Sequence, residues 1–139
     1  MNLALVSAAI ETRITSDTGA GGLYETNDQL INGVFFDTPL AGSTPPFVIV
    51  TFPGADEDDT FPTDAVDIDV EFELVIDRRY GTFATDAEIL GRLKARFHRW
   101  VMTLSGYSAW AMRRVTGTTQ HDDTNRRYIE RYTVRVEEA

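Results

Sequence analysis

The sequence predicts an α+β domain, a mostly antiparallel sheet with two helices packed on one face. Three observations carry that expectation. "VDIDVEFELVID" alternates strictly between apolar and acidic residues from Val66 to Glu73. Two other segments place apolar residues at helical spacing. The last third of the chain holds two strand-like runs separated by a turn-rich stretch. Alternation marks a half-buried strand, and the 3–4 spacing marks an amphipathic helix.

The elements follow in chain order. Residues 3–14 bring Leu3, Val6, Ala9, Ile10 and Ile14 near one helical face, with Glu11 and Arg13 toward the other. "SDTGAGG" then ends the helix, because its glycines favour turns and loops. A short strand is expected near residues 33–36, before the breaker "TPLAGSTPP". "FVIVTF" follows the prolines directly, and such a β-branched and aromatic run fits a well-buried strand. A polar loop containing Asp56, Glu57, Asp58 and Asp59 leads into the alternating strand.

Thr85 and Glu88 have capping-box spacing, which starts the second helix over residues 87–102. Its apolar stripe is Ile89, Leu90, Leu93, Phe97, Trp100, Val101 and Leu104. Arg92, Lys94, Arg96 and Arg99 fall largely on the opposite arc, and Gly106 ends the element. Residues 108–117 read as one strand and residues 127–137 as another. "TTQHDDTNRR" is the turn that makes them a hairpin.

A chain of 139 residues fits a single domain over 1–139. Its formal charge of −9 lacks the basic footprint of a domain that grips nucleic acid or anionic lipid. It does not exclude a surface that nucleic acid slides past. With no cysteine, disulfides, zinc–thiolate sites and thiol nucleophiles are excluded. The N-terminal apolar run has no basic residue ahead of it and is too short to span a membrane. The expectation is therefore a chain made and used in a cytoplasm.

No motif announces a reaction. "DEDDT" lacks the spacing of a calcium loop, so it reads as a solvated acidic loop. Carboxylates at i and i+2 of a strand stand about 7 Å apart. The row Asp67, Asp69, Glu71 and Glu73 cannot close on a small cation without ligands from elsewhere. His98 reads as a boundary residue of the second helix. His121 sits in a turn beside Asp122, where sequence neighbours seldom converge on a substrate. "TGAGG" matches neither phosphate-loop fingerprint. Trp100, Tyr107, Trp110, Tyr128 and Tyr132 read as core or interface anchors before they read as a ligand pocket. No catalytic, cofactor-binding or metal-binding residue is expected.

Charge partition remains. Arg127, Arg131 and Arg135 share one face of the final strand with Ile129 and Thr133. If that strand neighbours the acidic one, opposite charges pair across the sheet. Otherwise the acidic row faces a neighbouring subunit or an open channel.

The order of features resembles the tail terminator (tail-to-head joining, tail completion) proteins of long-tailed bacteriophages. It comprises an N-terminal helix, "PPFVIVTF", "VDIDVEFELVID", "RRYGTFATDAEILGRLKARFHRW" and the closing "HDDTNRRYIERYTVRV". The likeness spans about residues 3–136 and lies in the order and character of elements, not in an invariant signature. The acidic "PGADEDDTFPTD" loop departs from the pattern.

The resemblance implies a virion structural protein at the head–tail junction, assembled in the host cytoplasm, with no enzymatic activity and no cofactor. It implies a homohexameric ring that caps the head-proximal end of the tail tube and stops its growth. The implied partners are the tube protein and a head-neck or stopper protein, with DNA only passing through the lumen and no membrane. Candidate interaction residues are Asp67, Asp69, Glu71, Glu73, Arg92, Arg96, Arg99, Arg113 and Arg114. The alternatives are a head-completion or neck protein (stopper or adaptor), and a small α+β hydrolase or ligand-binding module using His121, Asp122 and the aromatics.

Overall fold

In the computed structural model, residues 3–54, 65–79 and 81–139 are described. The acidic residues Asp56, Glu57, Asp58 and Asp59 lie outside them. In chain order the elements are α1 (Leu3–Thr15), β1 (Tyr24–Glu25), β2 (Asp28–Gln29), β3 (Val34–Phe36), β4 (Phe47–Thr51), β5 (Val66–Asp77), α2 (Phe83–Phe97), β6 (Tyr107–Ala109), β7 (Arg113–Thr119) and β8 (Asn125–Glu138). The α+β expectation holds. β1 and β2 form a separate hairpin within a segment expected to be loop.

The main sheet runs β3-β4-β5-β8, and both β6 and β7 line the far side of β8. β3 lies parallel to β4, and every other pairing in this sheet is antiparallel. The spine is the β5–β8 pair, in continuous register from Val66↔Val136 to Asp77↔Asn125. Because strand side chains alternate between faces, this register sends the apolar residues of both strands the same way.

Both helices cover that face. α1 contributes Leu3, Val6, Ile10 and Ile14 to the core, and α2 contributes Ile89, Leu93 and Phe97. They meet Ile68, Val70, Phe72, Leu74 and Ile76 of β5 and Tyr128, Tyr132, Val134 and Val136 of β8. Phe72 sits between Phe97 and Tyr132, at ring-centroid distances of 4.6 and 5.5 Å. β4 is buried on both sides, as its continuous apolar run implies. Val48 and Val50 join the helix-side core, while Phe47 and Ile49 form a smaller cluster with Val75 and Phe35 on the opposite side.

Two boundaries differ from the sequence expectation. α2 begins one turn earlier: its N-cap is Thr82, whose side-chain oxygen accepts from the Thr85 N–H at 3.3 Å. Glu88 does not reach back as a capping-box partner but pairs with Arg92 one turn on, at 2.8 Å. α2 also ends at Phe97, so Trp100, Val101 and Leu104 are not helical. Arg99 takes φ +69° and turns the chain. Beyond it Met102 and Leu104 are buried at a spacing of two, while Val101 is 57% exposed.

The single strand expected over residues 108–117 is two. Both β6 and β7 pair with β8, but between them the chain swings away to meet the segment after α2. The Arg99 N–H donates to the Met112 carbonyl at 2.7 Å, and the Met112 N–H donates to the Trp100 carbonyl at 2.8 Å.

Candidate interaction surface

The face of β5 and β8 that turns away from the helices carries the acidic row. Register places Asp67 opposite Arg135, Asp69 opposite Thr133, Glu71 opposite Arg131 and Glu73 opposite Ile129. Arg131 reaches Glu71 at 2.9 Å, and Arg127 reaches Glu73 diagonally at 3.0 Å. Arg135 approaches Asp67 only to 3.9 Å, with both side chains more than half exposed. Glu71 also accepts from the Thr51 hydroxyl at 3.2 Å. Asp69 is exposed and holds no ion pair among the described residues. The row is therefore graded, tied down at Glu71 and Glu73 and open at Asp67 and Asp69.

The candidate arginines divide in the same way. Arg92 is a structural anchor, with its guanidinium meeting Glu25 at 3.0 Å, Asp28 at 3.2 Å and Glu88 at 2.8 Å, plus the Gly22 carbonyl at 3.0 Å. Arg96 pairs with Asp17. Together they fasten α2 to the loop and hairpin after α1, so neither is a free docking charge. Arg114 pairs with Glu130 at 2.6 Å across β7 and β8. Gly117 makes room for that pair, because a Cβ there would stand 2.2 Å from the Arg114 guanidinium. Arg99 and Arg113 are exposed and hold no ion pair among the described residues.

His121 and Asp122 do not form a dyad. One Asp122 oxygen accepts from the N–H groups of Thr124 and Asn125, and the other accepts from Arg127 at 2.8 Å. The Arg127 side-chain bond and those backbone bonds hold its carboxyl well below the usual range. The Nδ1 of His121 accepts from the Arg127 backbone N–H at 3.3 Å. Both residues are occupied in closing the β7–β8 turn. Of the aromatics, Tyr128 and Tyr132 are core, Trp100 and Tyr107 half-buried, and Trp110 45% exposed. Among the described residues no three His, Asp or Glu side chains are grouped to hold a metal ion. Among them, too, no helix is long and apolar enough to cross a membrane.

Sequence reasoning missed one buried polar cluster. Asp86, in the first turn of α2, receives both prongs of Arg126 at 2.6 and 3.0 Å and the Tyr128 hydroxyl at 2.5 Å. Asp86 and Arg126 are 1% and 7% exposed. Burial alone would raise the Asp86 pKa. The hydrogen bonds from Arg126 and Tyr128 outweigh it and hold the carboxyl below its ordinary value. Burial, reinforced by that carboxylate, pushes Tyr128 up to about 12. The Phe83 ring lies 5.6 Å from the Arg126 guanidinium carbon. The missed signal was one of phase, since Arg126 shares the period-two face of Tyr128, Tyr132, Val134 and Val136. An arginine in phase with a buried face must bring a partner inside.

No family model matches the chain, and no curated protein matches it. A solved structure whose designation carries no function is similar over 100% of this chain and 98% of its own, at TM-score 0.68 and 16% identity. At that identity the likeness concerns the fold alone.

Proposed function

We propose that this chain is a non-enzymatic assembly protein of the tail terminator kind. Copies close into a ring on the head-proximal end of a phage tail tube, halt its growth and present a docking surface to a neck protein of the head. One observation carries the reading: the main sheet has two different open edges. β3 has no strand on its outer side among the described residues. At the other end every residue of β7 is exposed. Unpaired strand edges are templates for addition of another chain. Two unlike edges make a head-to-tail contact, which closes into a ring when the rotation between copies allows it.

The rest of the surface is consistent with that role. The arginine-paired row stiffens the helix-free face, and Asp67 and Asp69 keep it acidic at one end. A lumen of that charge repels phosphates as DNA passes. Native mass spectrometry and electron microscopy of the protein mixed with polymerising tail tubes test the proposal. The expected result is a closed ring, present on one tube end only, that stops elongation. A chain that stays monomeric beside tubes that keep growing overturns it.

A further inference from the structure

Beside the open end of the acidic row lies a cleft of about 720 Å³, lined by Arg99, Arg113, Arg135, His98, Trp110 and Asp67. Three guanidinium groups face one carboxylate there, in a chain whose net charge is −9. Arginines elsewhere are mostly matched. Arg79, Arg92, Arg96, Arg114, Arg126, Arg127 and Arg131 each hold a carboxylate. Of the three exposed arginines with no ion pair among the described residues, Arg78 donates to the Asp122 carbonyl at 2.7 Å, and the other two, Arg99 and Arg113, converge on this one cleft. Arg135 is held there by the Trp110 ring at 5.7 Å and only loosely by Asp67 at 3.9 Å.

The cleft is built, not incidental. Arg99 takes a left-handed conformation uncommon for a residue with a side chain, and the Met112 carbonyl accepts its N–H at 2.7 Å. The Trp110 N–H donates to the Arg135 carbonyl at 2.9 Å, and the Arg114 N–H donates to Nδ1 of His98 at 3.3 Å. Three segments are thus tied around a half-exposed indole and unspent positive charge.

We propose that this cleft receives an acidic peptide segment of a partner protein. Paired carboxylates match the planar fork of each guanidinium, and Trp110, Ala111 and Thr133 give an apolar side chain somewhere to lie. A nucleic-acid backbone fits less well. Its charge continues past the cleft onto Asp69 and the rest of an acidic molecule, whereas the charge of a short peptide ends there. The inference deepens the assembly reading by giving the chemistry of one contact. It is tested without tubes or rings, so either can fail alone.

The test is fluorescence anisotropy of a labelled pentapeptide, four glutamates around a leucine, titrated with the full chain. The expected result is saturable, salt-sensitive binding, weakened about tenfold or more by Arg99→Gln with Arg113→Gln. Lys94→Gln, which removes an exposed charge outside the cleft, leaves it unchanged, and a glutamine-for-glutamate peptide does not bind. Should the double variant fail to keep the thermal midpoint of the parent, Trp110→Ala and Arg113→Gln alone carry the same comparison. Undiminished binding by the variants, no binding into the millimolar range, or tighter binding of a thymidine oligonucleotide of equal charge overturns the proposal.

Discussion

Replacing Asp86 with asparagine preserves the shape of the Asp86–Arg126–Tyr128 cluster and removes its negative charge. Arg126 then sits inside the protein, its side chain 9% exposed, without the carboxylate that took both its prongs. Stranding one member of a buried ion pair costs about 3–5 kcal/mol. The lower end applies here, because the guanidinium keeps a 3.4 Å bond to the Arg78 carbonyl and the Phe83 ring. For 139 residues the unfolding entropy is about 0.3 kcal/mol/K, so 3 kcal/mol lowers the melting temperature by about 10 °C. Circular dichroism melts of parent and variant measure it. Asp86→Leu combined with Arg126→Met removes both charges and is expected to cost less than Asp86→Asn alone. The pH dependence has a definite sign. The folded-state pKa of Asp86 lies below the unfolded value near 3.9. Its contribution is complete above about pH 5 and is lost as the pH falls through the folded-state value. An Asp86→Asn melt within about 1 kcal/mol of the parent, with the acid limb unchanged, refutes this reasoning.

Other outcomes follow from the same contacts. Thr82→Ala removes the α2 cap and should cost about 1 kcal/mol in urea unfolding, clearly more than Thr85→Ala. Tyr132 buries a hydroxyl with no hydrogen-bond partner among the described residues, so Tyr132→Phe should leave stability unchanged or raise it. Tyr128→Phe instead loses a bond to a buried carboxylate and should cost about 1.5–3 kcal/mol. Along the acidic row, Glu73→Gln should cost about 0.5–1 kcal/mol and Asp69→Asn close to nothing, because Arg127 holds the first and nothing described holds the second. Equal costs at the two positions would contradict the grading of the row.

Much of the fold was legible because the core is periodic. The alternation in β5 set its face, and the register of β5 on β8 then decided for the arginines over the alternative of a neighbouring subunit or channel. The 3–4 spacing of Leu3, Val6, Ile10 and Ile14 set α1. The α2 boundaries were not legible for a physical reason. Apolar residues continue past Phe97 at a spacing that suits a helix, yet Arg99 turns the chain and an extended segment buries Met102 and Leu104 instead. The β6–β7 break was hidden too, because Trp110 still bonds Arg135 of β8 while Met112 turns away to bond Arg99 and Trp100.

Of the candidate site, the acidic row and the arginine face of the last strand were readable from phase, and their pairing across the sheet was one of two alternatives. The division of the arginines was not. Arg92 and Arg96 are consumed by Glu25, Asp28 and Asp17, which only the folded path of the loop after α1 brings near. Arg99 and Arg113 are left over together because the chain folds Trp110 and Met112 back beside the end of α2.

The central claim, that this chain ends a tail tube, is tested most directly by tail length. Electron micrographs of particles from a phage lacking this chain are compared with those from the same phage supplied with it in trans. The account predicts overlong or uncapped tubes that fail to join heads, restored to uniform length by the supplied chain. Tails of normal length beside heads that have lost their DNA would contradict it and assign the chain to the neck.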